Sequence, residues 1–301
     1  MFYARINYIS VLRGKSMGNI ILTTESGTDL SREHAKELGI RVIPMYVALE
    51  GGMKADGLFP VTEVFEYYHK TKKIPTTSAV NPDEYIAEFR DLRDRYPDAD
   101  IVHIAYTSLA SCTYRNAALA LEELGDPKIF LIDSLNVSGG ISLICEKAVE
   151  LAKAVSCGAE LKEKLEPWIR KARVTFLPDT LEYLRAGGRV SNAVYLGGTL
   201  LNIKPQIVMK EGRLVASKKY RGKMEKVAFR CFDDFIAEND LDRSLFYLFY
   251  VEGLSREILD ELRNRAKKLG FEKILETKCG CVITCHGGPG AVGFAAFAKE
   301  E

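Results

Sequence analysis

Short apolar runs rich in β-branched residues alternate with amphipathic stretches through the first half of this chain, and that alternation limits its folds. Asn19-Ile20-Ile21-Leu22-Thr23-Thr24, Arg41 to Leu49, Ile101-Val102-His103-Ile104-Ala105-Tyr106 and Lys128-Ile129-Phe130-Leu131-Ile132 read as buried strands. Between them Tyr85, Ile86, Phe89 and Leu92 fall on one helical stripe, with Asn81 as N-cap and Pro82 at the first helical position. Tyr114, Ala117, Ala118, Leu121 and Leu124 repeat the spacing, and Gly125 supplies the stop. A longer helix carries Ile144, Cys145, Ala148, Leu151, Ala152 and Val155 on one face, with Gly158 beyond it. Apolar strands joined through helices pair in parallel and are covered on both faces. The expected class is therefore α/β, with an N-terminal three-layer domain holding a mostly parallel sheet over residues 17–175.

The second half follows another pattern. Gln206 to Met209 and Leu214 to Lys218 flank the turn Lys210-Glu211-Gly212-Arg213 and read as a hairpin. A helix with Met224, Val227, Ala228, Cys231 and Phe235 on one face follows, then a buried strand from Leu245 to Val251. Ser255 caps a helix carrying Ile258, Leu259, Leu262, Ala266 and Leu269, closed by Gly270. Cys281 to Cys285 is expected as the last strand, ending on His286. These elements predict an α+β C-terminal domain over residues 176–301, with the boundary near Arg173–Pro178.

Residues 1–16 carry Arg5, Arg13 and Lys15 but lack the ~7–15-residue apolar core of a secretory signal. They are expected to lie outside the fold, with Met17 a candidate start. A net charge of +1 argues against a broad nucleic-acid footprint. No apolar run approaches the ~20 residues of a membrane span. Seven cysteines without an export signal predict reduced thiols and a cytoplasmic protein.

Chemistry-bearing residues gather in a few places. Thr23 to Thr28, Thr107 to Thr113 and Asp133-Ser134 follow strands, and Pro75 to Pro82 precedes a helix. In a parallel sheet ligands bind beyond the carboxyl ends of the strands. Hydroxyls there either cap helices or, with backbone amides, hold a monoanion. His286-Gly287-Gly288-Pro289-Gly290 adds a titratable ring beside close-approaching backbone. His34 and His69 sit on polar helix faces and read as solvated; His103 reads as a core histidine. Arg185 and Arg189 flank a glycine pair that ends a short helix. Cys279, Cys281 and Cys285 share one face if the run is a strand, but their spacing matches no common zinc pattern. The Gly-x-Ser-x-Gly elbow is absent, and Gly288-x-Gly290-x-x-Gly293 lacks the length of chain a dinucleotide unit needs after it.

In order along the chain, Thr23 to Leu30 resembles T-D-S-T-x-D-L, Thr76-Thr77-Ser78 resembles K-T-S-Q-P, and Thr107 to Tyr114 resembles S-S-x-L-S-G-T-Y. Leu184 to Ser191 is similar to L-K-x-G-G-R-I-S, Leu201 to Pro205 to L-N-I-K-P, and His286 to Gly290 to H-T-G-P-G. Together these resemble the DegV family of bacterial fatty-acid-binding proteins, from about Met17 to Phe297. Glu25, Ala79-Val80, Ala110, Cys112 and Gly287 depart from the family pattern.

The resemblance implies a non-catalytic carrier, needing no cofactor or metal, that buries one long-chain fatty acid such as palmitate, stearate or oleate between two domains. It implies that Thr77, Ser78, Ser108 and His286 hold the carboxylate. Arg189, Arg221, Gly287 and Gly288 would support the site or face a partner, and that partner would be a fatty acid kinase serving phospholipid synthesis. Each buried methylene stabilises by ~0.8 kcal/mol, so about sixteen carbons contribute on the order of 10 kcal/mol before ordering costs. Two other readings stay open: an acyl ester or thioester hydrolase with Ser108 as nucleophile, His286 as base and Asp133 as the nearest acid, and a thiol or metal module on the three clustered cysteines.

Overall fold

The computed structural model describes residues 19–190 and 203–299. The proposed extension at residues 1–16, Met17, and Ser191, Leu201 and Asn202 of the motifs lie outside the described residues.

The first half alternates as the pattern requires. Strand β1 (Ile20–Glu25) leads to helix α1 (Arg32–Leu38) and β2 (Ile40–Ile43). After β3 (Tyr46–Leu49), β4 (Gly52–Ala55), α2 (Thr62–Thr71) and β5 (Thr76–Ser78) come α3 (Pro82–Arg95) and β6 (Asp100–Ala105). Then follow α4 (Thr113–Leu124), β7 (Ile129–Asp133), α5 (Gly139–Ala152) and α6 (Gly158–Lys171). Strands β2-β1-β6-β7 form a parallel sheet. Residues of α5 and α6 fill one core with Leu22, Val102 and Ile104, while α3 and α4 fill another with Ile101 and Ala105. The α/β expectation thus holds. Asn81 caps α3 through the Glu84 amide, and Glu84 returns a bond to the Asn81 amide.

The expected single strand from Arg41 to Leu49 is two strands. Pro44 has no N–H to give a ladder, so β2 stops at Ile43. The chain then turns into a small antiparallel sheet of order β4-β3-β5.

In the second half β8 (Ala172–Leu177) precedes α7 (Leu181–Gly187). Strands β9 (Ile203–Lys210) and β10 (Arg213–Arg221) form the expected hairpin. Next come α8 (Met224–Glu238), β11 (Leu241–Tyr250), α9 (Arg256–Lys268), β12 (Lys273–Lys278), α10 (Cys281–Gly287) and β13 (Val292–Ala298). The order in this sheet is β10-β9-β8-β13-β11-β12, with only the β11–β12 pair parallel. Helices α8 and α9 cover one face with Phe232, Phe235 and Leu262. Helix α5 covers the other and touches β8, β11 and β13. Buried nearly all round, α5 is shared by both sheets, as its almost wholly apolar first half suits.

The Cys281–Cys285 run is a helix, not the last strand. Short apolar runs do not declare their period, and here the deciding groups come from elsewhere in the chain. The Gly280 amide donates to Asp29 Oδ1 (2.7 Å) and the Cys281 amide to Asp56 Oδ1 (2.8 Å). Two buried carboxylates thus satisfy the first free N–H groups of α10. Cys281 and Cys285 stack one turn apart, and Cys279 lies before the helix. The last strand is β13. No described helix is long and apolar enough to cross a membrane.

Candidate functional site

A cavity of about 240 Å³ lies where the first half of the chain meets the six-stranded sheet. That is many times the ~10–15 Å³ that admits one water. Met45, Tyr106 and Val137 line it from the first half, and Phe176, Phe249 and Val251 from the second. Its polar groups gather in Thr77, Ser78, Ser111, Ser138, Arg189 and His286.

Thr77 sits on β5, opposite Val47 of β3. His286 sits in the last turn of α10, which ends at Gly288 with φ of +73°, a conformation that glycine adopts without strain. The two side chains meet: Thr77 Oγ1 and His286 Nε2 are 2.9 Å apart. Burial, helped by the charge of Arg189, pushes the His286 imidazole down to about 4, so the ring is neutral at neutral pH. Its Nδ1 is buried without a hydrogen-bond partner and lies against Gly187, where a Cβ would come within 2.4 Å of it. Arg189 Nη1 donates to the Gly187 carbonyl and keeps a cation at the cavity wall.

A second layer fixes these walls. Glu25 is buried and accepts from Tyr85 Oη (2.5 Å), His103 Nε2 (2.9 Å) and the Tyr106 amide (2.9 Å). Burial alone would raise its carboxyl, but His103 and these hydrogen bonds outweigh it and hold the group below the usual range. His103 is the core histidine expected, bridging Glu25 and Thr23. Asp29 accepts from the cavity residue Ser138 and from Gly280, tying the cavity wall to the start of α10. Burial pushes the Asp29 carboxyl up to about 7, with neighbouring Asp56 adding to the rise.

The structure brings together Thr77, Ser78, His286, Arg189 and Gly287, all of which line the cavity. Gly288 closes the helix beside them, packed on Tyr183. Ser108 is elsewhere: it is exposed, outside the lining, with its amide 3.3 Å from Asp133 Oδ1. Ser111, three residues on, takes the wall position instead. It belongs to the same hydroxyl-rich segment, so the segment was legible and the residue was not. Arg221 is exposed at the end of β10 and does not line the cavity. The residues missed are Ser111, Ser138 and Tyr106; only Ser111 lay in a segment singled out for chemistry.

The hydrolase constellation does not form. Ser108 and His286 do not share the cavity, and Asp133 engages the Ser108 and Leu135 amides rather than the histidine. The cysteines are neutral thiols: burial pushes all three up, Cys281 to about 12. Among the described residues no group of three or more His, Cys, Asp or Glu side chains is arranged to hold a metal. His34, expected to be solvated, instead meets Glu146 through Nε2; His69 is exposed.

Comparison with known proteins fits this arrangement. A DegV domain-containing protein of Deinococcus radiodurans is 31% identical over 280 residues, covering 92% of this chain and 98% of that protein. A Thermus thermophilus structure, described as fatty acid binding of a DegV family protein, superposes with a TM-score of 0.81 at 29% identity, covering 93% of this chain and 100% of that one. The Streptococcus pneumoniae fatty acid kinase (Fak) B3 protein, loaded with linoleic acid, shares the fold with a TM-score of 0.79 at 20% identity, over 93% of this chain and all of that one. The family model described as "uncharacterised protein, DegV family" matches residues 19–299, and the chain belongs to the DegV family.

Proposed function

We propose that this protein is a carrier that binds one long-chain fatty acid, with the carboxylate at the Thr77–His286 end of the cavity and the tail between the two sheets. The observation that carries this reading is a cavity with apolar walls from both halves of the chain and with hydroxyls, an imidazole and the Arg189 guanidinium among its polar groups. Neutral donors orient a monoanion, and the Arg189 charge attracts it without a bidentate fork locking it in place. Ser78 and Ser111 lie within the same lining and complete the donor set, with Gly287 giving the head group close access to backbone. The relatives described as fatty-acid-binding support the ligand class.

Delivery to a fatty acid kinase is the matching role, supported by the fold shared with the kinase-associated protein of Streptococcus pneumoniae. Exposed Arg221 is available to such a partner. A cytoplasmic setting suits seven cysteines that are all free.

The test is mass spectrometry of an organic extract of the purified protein. We expect one fatty acid per chain. An extract free of lipid, together with no uptake of added palmitate or oleate, would overturn the reading. For the partner, the loaded protein with a fatty acid kinase and ATP should yield acyl phosphate; no turnover of the bound acid removes the kinase role.

A further inference from the structure

One row of the six-stranded sheet has a gap in it. Across β8, β13 and β11 the register sets Phe176, Gly293 and Phe249 side by side. Residues directly opposite on neighbouring strands present their side chains to the same face. Gly293 therefore leaves a notch between two aromatic residues, and the Phe249 ring lies over it. A Cβ on Gly293 would come within 2.2 Å of the Phe249 Cε2 and Cζ atoms. From the opposite side Gly139, the first residue of α5, meets the same ring; a Cβ there would lie 2.3 Å from Phe249 Cδ1.

Neither glycine has a left-handed backbone. Their lack of a side chain answers to the ring and, at Gly293, also to the Thr175 carbonyl oxygen 2.8 Å from a Cβ, not to a turn. Phe249 lines the cavity, whereas Gly139 and Gly293 do not, although both touch it. The ring thus forms part of the cavity wall on the α5 side. Along the chain it is also set back from the His286 end of the cavity. Val251, two residues along and just past the end of β11, faces Gly287 beside His286, where a Cβ would sit 3.5 Å from Val251 Cγ2. Two strand residues span about 6.6 Å.

We propose that Phe249 sets the length of acyl chain this protein accepts, with Gly139 and Gly293 holding its ring in the retracted position. This rests on the fatty-acid reading above. Each further methylene that finds apolar room is worth roughly a fourfold gain in affinity. Moving one ring therefore moves the optimum along a chain-length series.

The experiment is a displacement titration of wild type, Phe249→Ala and Gly293→Ala with saturated acids from laurate to arachidate. Thermal melts confirm that each variant is folded. Phe249→Ala opens the space the ring itself fills and is expected to shift the best-bound acid longer by about two carbons. Gly293→Ala forces the ring into the cavity and is expected to shift it shorter. Core damage alone weakens every acid alike and does not shift two variants in opposite directions. If Gly293→Ala does not fold, Phe249→Trp enlarges the ring in place and should also favour shorter acids. Unshifted profiles, or uniform weakening at every length, overturn the proposal while leaving the carrier reading intact. A wild type that binds no acid of any length overturns both.

Discussion

Thr77 Oγ1 and His286 Nε2 form a 2.9 Å hydrogen bond between positions 209 residues apart. The contact joins a short strand of the first half to a helix end of the second, at the polar part of the cavity.

Truncating either partner should weaken carboxylate binding. A hydrogen bond to a charged group is worth about 1.5–3 kcal/mol, so Thr77→Ala and His286→Ala are each expected to lower fatty-acid affinity roughly tenfold or more. Gly187→Ala should do the same indirectly, because its Cβ would occupy the place of His286 Nδ1. Isothermal titration calorimetry on folded variants checks this, and wild-type affinity in His286→Ala would remove the imidazole from the site.

Ser111 and Ser108 give opposite expectations. Ser111 lines the cavity and Ser108 does not. Ser111→Ala should therefore weaken binding several-fold, and Ser108→Ala should leave it unchanged. The reverse order in a side-by-side titration would mean that the loop after β6 turns the other way around a ligand.

Binding should draw in a proton at mildly acidic pH. Burial, with the charge of Arg189, holds the His286 imidazole at about 4. A carboxylate brought next to it favours the charged form and raises that value. The complex then holds more protons than the free protein, so affinity is expected to rise as pH falls from neutral toward about 5. Calorimetry in two buffers of different ionisation heat should detect proton uptake in wild type and not in His286→Gln. Equal heats in both buffers for wild type would count against the contact.

Asp29 links stability to pH. Burial holds its carboxyl at about 7, above the ordinary 3.8. The folded chain therefore keeps a proton there that the unfolded chain gives up. This contribution is fully present below the unfolded value and is lost as pH rises through about 7, at no more than about 1.4 kcal/mol per pH unit. Thermal melts of wild type should fall over that span, and Asp29→Asn, which keeps an acceptor for the Gly280 amide, should show a shallower fall. Parallel slopes in the two proteins would show that the proton sits elsewhere.

What the sequence revealed depended on how local the determinants were. Helix α3 declares itself through Asn81, Pro82 and an apolar stripe, all within a few residues. The β9–β10 hairpin does so through Gly212, whose φ of +79° matches its place in the turn. Pro44 was in view as well, but an apolar run on both sides concealed that it divides two sheets. Helix α10 was unreadable for a different reason. Asp29 and Asp56 select helix over strand for Cys281–Gly287, and both arrive from more than two hundred residues away. Strand β13 was missed because Gly293, Ala295 and Ala296 carry little strand propensity; its place between β8 and β11 supplies what its composition lacks. At the site, residue types and segments were legible from motif order. The choice of Ser111 over Ser108 depends on the course of one loop in space.

Helix α5 is gripped on opposite flanks, so neither half of the molecule owns it. Loosening either sheet strips the helix that shelters the other, which joins the two into one cooperative melting unit. A nick or truncation near the middle of the chain should accordingly cost both pieces their fold, rather than release two independent modules.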